Sequence, residues 1–429
     1  MKIFLRGAIS IAAIAQFLLF AAFLNLTMIL RPFSDMISYI DDYLHFHQNG
    51  DLLGYLWAAH TEHHQPFIRV LTALDVAAFR ASGVPFVVAS SIATIVAALL
   101  IYVEFRRDEQ LSGPARPLSW LAPMLLLTTG AAVDCSIPIN SIYPLSLVFL
   151  VATLVLFDSG PDVHYTKRTA ALVIAIMASF TNVGGLAIWP ALLWLAWRRG
   201  ASKRWLIGIA TLGVGYGSFY VLTLPSTGID RPSHVIELAH LLKMADYLLA
   251  YLGLPLSRQP ELGFMARGLG GVLLLGGLIA IIRDAILRGP TTRLYRFGIG
   301  LIMIALGIAF LVALGRVDIE QEVKVPVRYA VFVAPLHIGL LAVALPHLAQ
   351  LATRSKRQIA LLGAGATLAA ILLVLQVAAG RSAIIVSTSI ANAIARFEET
   401  GLVEPGWEQL YPDVGQAKRV LTELNNGPK

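Results

Sequence analysis

Apolar residues run along this chain in long blocks, and polar residues gather in the gaps between them. Blocks are read near 7–30, 84–103, 118–133, 141–157, 169–181, 184–197, 205–224, 266–287, 298–314, 329–350 and 358–379. A helix of roughly 20 apolar residues crosses the hydrocarbon of a bilayer. The blocks do not alternate apolar with polar as barrel strands do, and lipid permits only helices or closed barrels. The pattern predicts an all-α polytopic membrane protein with about eleven transmembrane helices. The two short blocks abutting at Thr181-Asn182 widen that range to about 10–13.

The gaps carry their own periodicity. In MISYIDDYLHF, the apolar residues Met36, Ile37, Ile40, Leu44 and Phe46 share a face, which predicts an amphipathic helix lying at the membrane surface. Ser34 is placed to cap it, and Asp35 falls in its first turn, where a negative charge suits the helix dipole. Asn49-Gly50 ends it, and a second short helix, LLGYLWAAH, closes near Pro66. Between Pro232 and Pro255 the stretch IELAHLLKMADYLLAYL is again amphipathic. The domain reading is a transmembrane body over 1–380, with outer loops at 31–82, 225–265 and 315–328, followed by a short tail over 381–429. The tail holds two mildly amphipathic stretches, AIIVSTSIANAIARFEETG and AKRVLTELNNG.

Composition agrees with a membrane solvent: 57% of residues are hydrophobic and 14% charged, against about 25% charged in soluble proteins. A single cysteine, Cys135, excludes an internal disulfide framework. The net charge of +7 is not a nucleic-acid signal, because Lys and Arg are spread through short loops. Arg106, Arg107, Arg116, Lys167, Arg168, Arg198, Arg199, Lys203, Arg204, Arg283, Arg288, Arg293, Arg296, Arg354, Lys356 and Arg357 fall in alternate gaps on the side of Lys2 and Arg6. Among the 26 acids only Glu104, Asp108, Glu109, Asp158, Asp162 and Asp284 share that side. The positive-inside rule then puts the N-terminus in the cytoplasm and the acid-rich loops and C-terminal tail outside. The first block is too long for a signal-peptide core and is expected to be retained.

Chemistry concentrates in 31–75, which holds Asp35, Asp41, Asp42, Asp51, Glu62 and five of the ten histidines. A carboxylate at a membrane edge can deprotonate or orient an acceptor hydroxyl, or hold a divalent metal. Asp35 and Asp41 are the candidate catalytic acids. Asp41 and Asp42 are adjacent, so on a helix they point about 100° apart and only one can face a given partner. In HTEHH, His60, His63 and His64 stand at i, i+3 and i+4, which would put three imidazoles on one helical face beside Glu62. HxxHH also occurs in membrane di-iron desaturases, but those need several histidine boxes, and His164, His234, His240, His337 and His347 stand alone. HExxH is absent as well, so no metal-ligand set is assigned. Near 315–329, Arg316, Lys324, Arg328 and Tyr329 are interleaved with Asp318, Glu320 and Glu322. Arg328 at the headgroup level either snorkels or grips a phosphate with its planar fork. Arg69 and Arg258 are lesser candidates for the same work.

A first helix, an outward loop with an early Asp, further amphipathic helices in that loop and a later Arg at an outer helix start together resemble the GT-C superfamily of integral-membrane glycosyltransferases. More closely, SDMISYID followed by LWAAHTEHHQPFIRVL is similar to a set of bacterial multi-pass proteins with Asp, Trp, His-x-Glu-His-Arg, Pro and Arg in that loop. Asp35, Trp57, His60, Glu62, His63, Pro66 and Arg69 match, and His64 stands where the set has Arg. VPVRYAVF and LYPD resemble its late helix start and its tail; between them only the hydropathy profile corresponds. The resemblance implies transfer of a sugar from a polyprenyl-phosphate donor to an envelope glycan or lipid, at the periplasmic face of a bacterial inner membrane. It implies Asp35 acting on the acceptor and Arg328 on the donor phosphate, with Asp42, His60, Glu62, His63, His64, Arg69, Arg316 and Tyr329 as further substrate contacts. Two rivals stand beside it. A transporter or flippase predicts polar residues deep in the spans, where Gln16, Asn25 and Gln376 are modest examples. A non-catalytic assembly protein would carry the loop acids as surface.

Overall fold

The computed structural model describes residues 1–60, 63–158, 165–223, 238–254, 260–287, 291–317, 325–352 and 354–426. The described chain is helical apart from one short hairpin. In order it runs α1 (Lys2–Thr27), α2 (Asp35–Asn49), α3 (Leu52–Trp57), β1 (Ala59–His60), β2 (His63–His64), α4 (Pro66–Phe79), α5 (Val84–Arg107), α6 (Leu121–Leu126), α7 (Thr129–Ser136), α8 (Ile142–Phe157) and α9 (Tyr165–Ser179). It continues through α10 (Ile188–Arg198), α11 (Lys203–Thr223), α12 (Leu238–Leu252), α13 (Gly263–Leu287), α14 (Arg293–Arg316), α15 (Ala330–Leu351), α16 (Ser355–Thr400) and α17 (Val414–Asn426). Among the described residues eight helices are long and apolar enough to cross a membrane: α1, α5, the segment ending in α8, α11, α13, α14, α15 and α16. A ninth results if the bent pair containing α6 and α7 counts as one span. The all-α, multi-pass architecture therefore stands. The blocks near 169–181 and 184–197 become shorter pieces, α9 and a helical stretch over Val183–Arg198. Gly185 lets their connection close, since a Cβ there would lie 1.9 Å from the Ala178 carbonyl oxygen.

The block near 118–133 is not straight. It bends by 45° between Leu126 and Thr129, and a break inside lipid must have its freed backbone groups satisfied. Gln16 on α1 donates Nε2 to the Leu127 carbonyl at 2.6 Å. Gln376 on α16 accepts the Thr129 N–H at 2.6 Å, and Thr129 Oγ1 donates to the Gln376 carbonyl at 2.9 Å. Two of the polar residues noted inside the spans thus patch a helix break.

Helices α1 and α16 lie side by side and run the same way. Lys2 Nζ donates to Gln358 Oε1 at 2.7 Å where both begin, and Arg31 pairs with Glu398 where both end. The chain's two ends therefore sit at opposite ends of the bundle, which requires an odd number of crossings. The sequence placed the end of the last span near 379, but α16 continues unbroken to Thr400. Its 46 residues reach about 69 Å at 1.5 Å per residue, more than twice the hydrocarbon thickness. That overshoot carries Ala393, Ile394 and Phe397 up to the first loop, where they pack with Ile37, Ile40, Tyr43 and Leu44 of α2 and Leu410, Tyr411, Ala417 and Val420 of the tail. First loop and tail form one apolar cluster outside the main bundle core.

Candidate functional site

Helix α2 forms as its periodicity predicts: Met36, Ile37, Tyr39, Ile40, Tyr43 and Leu44 are buried, and Gly50 ends it in the left-handed conformation. Its beginning differs from expectation. Ser34 occupies the cap position but its side chain makes no capping bond, and its φ is +52°. Its N–H instead donates to the Leu410 carbonyl at 2.6 Å. A non-glycine residue at such a φ costs on the order of 1–3 kcal/mol, so the tail contact holds a strained residue beside Asp35.

Asp35 is exposed and has no hydrogen-bond partner among the described residues. It lines a crevice of about 180 Å³ with Ser34, Ser38, Tyr411, Asp413 and Gln416. The crevice wall opposite this acid is the C-terminal segment. Tail and loop are joined further by the Tyr411 ring stacked on Phe397 at 3.9 Å and its hydroxyl donating to the Pro32 carbonyl at 3.4 Å.

The two adjacent acids of α2 diverge as helix geometry requires. Asp41 turns to α17, accepting from Arg419 Nη2 at 2.7 and 2.9 Å and from Gln416 Nε2 at 2.8 Å. It is occupied as an anchor of the tail, through residues of which Gln416 also lines the crevice beside Asp35. Asp42 turns the other way and accepts from Arg69 Nη2 at 3.0 Å. Asp35, Tyr39 and Asp42 stand at i, i+4 and i+7, one face of α2, and all three bear on the hairpin.

HTEHH is not helical. Ala59 pairs with His64 and His60 with His63 across β1 and β2, so His60 and His64 leave on opposite faces. The reason is Pro66, the first residue of α4, which disfavours helical backbone in the residue before it. Tertiary partners complete the choice. His60 lies against Tyr39 with ring centroids 4.3 Å apart and the planes tilted by 37°. His64 stacks on Trp57 at 5.5 Å and its Nδ1–H donates to the Trp57 carbonyl at 2.9 Å. Among the described residues His60 and His64 share no face, and no group of acids, histidines or cysteine is placed to hold a metal. Glu62 and the His63 side chain lie outside the described residues, as do Asp318, Glu320, Glu322, Lys324 and Arg258.

Arg69 is fully buried. Its Nε donates to the Ala58 carbonyl at 3.0 Å, and its guanidinium lies over the rings of Tyr39 at 5.3 Å and Tyr55 at 5.0 Å. Tyr55 donates its hydroxyl to the Arg69 carbonyl at 2.8 Å, and Tyr39 donates to Gln65. Burial pushes both phenols up, so they stay neutral. Burial also lowers His60, against the pull of Asp35 and Asp42 in the other direction.

Arg328 sits half-buried on a single 3₁₀ turn before α15, with its guanidinium 5.7 Å from the Tyr329 ring. Burial works against its charge, but Tyr143, Tyr329 and Asp35 outweigh it and hold the guanidinium above its ordinary value. Tyr329 is buried among Tyr143 at 5.7 Å and Tyr251 at 5.8 Å. Arg316, the last residue of α14, is a further cation near Tyr143. The structure thus gathers Asp35, Asp42, His60, Arg69, Arg316, Arg328 and Tyr329 at one end of the molecule. It adds Tyr39, Tyr55 and Tyr143, which the sequence reading did not single out; the i+4 spacing of Tyr39 from Asp35 was the available signal.

Compared with protein-family profiles, with curated proteins and with solved structures, the chain matches none.

Proposed function

We propose that this protein is a glycosyltransferase of the GT-C type, moving a sugar from a polyprenyl-phosphate donor to an envelope glycan or lipid at the periplasmic face of a bacterial inner membrane. The observation that supports the reading is that Asp35, exposed in a crevice at the start of α2, and Arg328, on the turn before α15, are far apart in sequence yet stand at the same end of the bundle. In the reaction, Asp35 takes the proton of an acceptor hydroxyl. The acceptor oxygen bonds to the anomeric carbon as the bond from that carbon to the phosphate oxygen breaks. The electron pair leaves with the polyprenyl phosphate, and the Arg328 fork stabilises the charge that collects there. No protein-bound metal is assigned to this scheme; a divalent ion brought with the donor phosphate is compatible with it.

A translocation path receives less support. Gln16 and Gln376, buried inside the spans, spend their amides on the backbone break between α6 and α7 and do not line an open route.

The test is transfer of radiolabelled hexose or pentose from synthetic polyprenyl-phosphate sugars by protein reconstituted in vesicles with envelope extract as acceptor. Asp35→Asn should lower turnover by about 10²–10⁴, the range for a positioned general base. Arg328→Lys should raise the KM for the donor, because a point charge replaces a bidentate fork. Wild-type turnover in Asp35→Asn protein would remove the acid from the mechanism.

A further inference from the structure

Arg69 has an open side. It is fully buried, yet only Nε and Nη2 are bonded, and Nη1 has no hydrogen-bond partner. An unused N–H on a buried cation is costly, because its lost hydration is not replaced. Neither flanking tyrosine hydroxyl, each donating elsewhere, is bonded to Nη1. Asp42, among the described residues the only carboxylate bonded to Arg69, meets it through one nitrogen and keeps 37% of its side chain exposed. His60 repeats the pattern. Its Nε2 is also buried without a partner, and its ring lies on Tyr39, the ring that Arg69 also covers. Two buried nitrogens left open against one tyrosine are poorly explained by packing, since a hairpin could be pinned by Asp42 and Ala58 alone.

We infer that Arg69 Nη1 and His60 Nε2 form a binding site for an oxyanion, and that the sugar acceptor carries a carboxylate or phosphate which docks there. Planar guanidinium and imidazole N–H donors suit an oxyanion and give a neutral hydroxyl little advantage. Asp35 stands one turn of α2 before Tyr39, the ring that His60 and Arg69 both touch. The acceptor's anion at Arg69 and the donor's phosphate at Arg328 would then flank the acid that joins them. The word acceptor rests on the transferase reading; anion binding at Arg69 does not.

Binding is read directly from the imidazole of His60 in detergent-solubilised, ¹³C-histidine-labelled protein, its signal identified by its loss in His60→Gln. Glucuronate supplies the carboxylate, inorganic phosphate the phosphate, and glucose the neutral control. A saturable shift with glucuronate or phosphate is expected, and whichever titrates at lower concentration names the anion. Glucose should leave the signal in place. Arg69→Lys should weaken the response at least tenfold, and Arg328→Lys should leave it unchanged. If Arg69→Lys protein fails to fold, Asp42→Asn substitutes: it frees Nη2 and should tighten the response severalfold. No saturable shift in the wild type, an equal shift with glucose, or a shift lost in Arg328→Lys would overturn the site. A transfer assay decides the catalytic reading separately, since anion binding can fail while Asp35→Asn still abolishes turnover.

Discussion

Acids and arginines meet at both ends of this molecule, but on different terms. At the basic end the buried carboxylates Glu104 and Asp158 are hydrogen-bonded by arginines. Glu104 receives Nε and Nη2 of Arg293 at 2.6 Å each and Nη1 of Arg107 at 3.3 Å. Asp158 receives Arg296 at 2.9 and 3.1 Å and lies 3.1 Å from Arg199 Nε. Asp284 lies 3.0 Å from Arg198 Nε, close enough to pair though not aligned as a hydrogen bond. These contacts tie α5, α8, α10, α13 and α14 together. At the opposite end Asp35 has no bonded partner among the described residues, and Arg69 Nη1, His60 Nε2 and Arg328 Nε are buried and unbonded. Glu104 and Asp158 join helices through hydrogen-bonded arginines, whereas Asp35 at the other end is bonded to none of the described residues. The same residue types therefore serve assembly where they are saturated and are available to a ligand where they are not.

The sharpest way to break this comparison is to remove one acid from each end. Asp35→Asn should leave the thermal midpoint in detergent unchanged while transfer falls by about 10²–10⁴. Glu104→Gln should do the reverse. It leaves Arg293 uncompensated beside a buried amide, which costs about 3 kcal/mol, the lower end for a broken buried pair because Arg293 retains 27% side-chain exposure. Turnover per folded molecule should stay at the wild-type level. A stable Glu104→Gln protein that has lost activity would erase the distinction between the ends.

A smaller effect comes from Asp75, which accepts the Gly83 N–H at 2.8 and 3.0 Å and fixes the turn from α4 into α5. Gly83 is required there: its φ is +79°, and a Cβ would lie 2.6 Å from Pro138 Cγ. Burial pushes the Asp75 carboxyl up to about 6, against the bonds from Gly83 and Ser82. An unfolded aspartate titrates near 3.9, so the folded protein holds the extra proton between the two values. The stabilisation is complete below about pH 4 and is lost as pH rises through about 6, on the order of 1–3 kcal/mol. Asp75→Asn should flatten that slope. A wild-type minus variant difference that is constant from pH 4.5 to 7.5 would rule the assignment out.

The smallest effect is expected at the Asp41–Arg419 pair, where Arg419 keeps 56% of its side chain exposed. Exposed pairs contribute about 0.2–1 kcal/mol, so Arg419→Ala should scarcely move the thermal midpoint. It should loosen α17, seen as faster limited proteolysis after Gly401. Unchanged cleavage would mean that Tyr411 and its apolar neighbours dock the tail without help.

Much of the fold could be read without coordinates. Block length and composition dictate helices in lipid, because a lipid-exposed backbone has no other way to satisfy its hydrogen bonds. The face of α2, its stop at Gly50 and the divergence of Asp41 from Asp42 follow from 3.6-residue periodicity, a local property. Asp35 and Arg328 could be nominated as a polar pair by type and position. What local pattern could not supply was long-range contact. Whether HTEHH is helix or hairpin depended on Pro66 together with Tyr39 and Trp57, which lie on other elements. The span with a 45° bend looked continuous because its compensation came from Gln16 and Gln376, on either side of it in the chain. The tail read as an appendage because nothing in residues 381–429 announces that α16 runs on to Thr400 and meets α2. Sequence determined the solvent, the helices and the inventory of charges, since these depend on neighbours within a few residues. Tertiary structure alone decided which charges are answered and which are left open, since a hydrogen bond or ion pair forms only between groups that folding brings within about 3 Å.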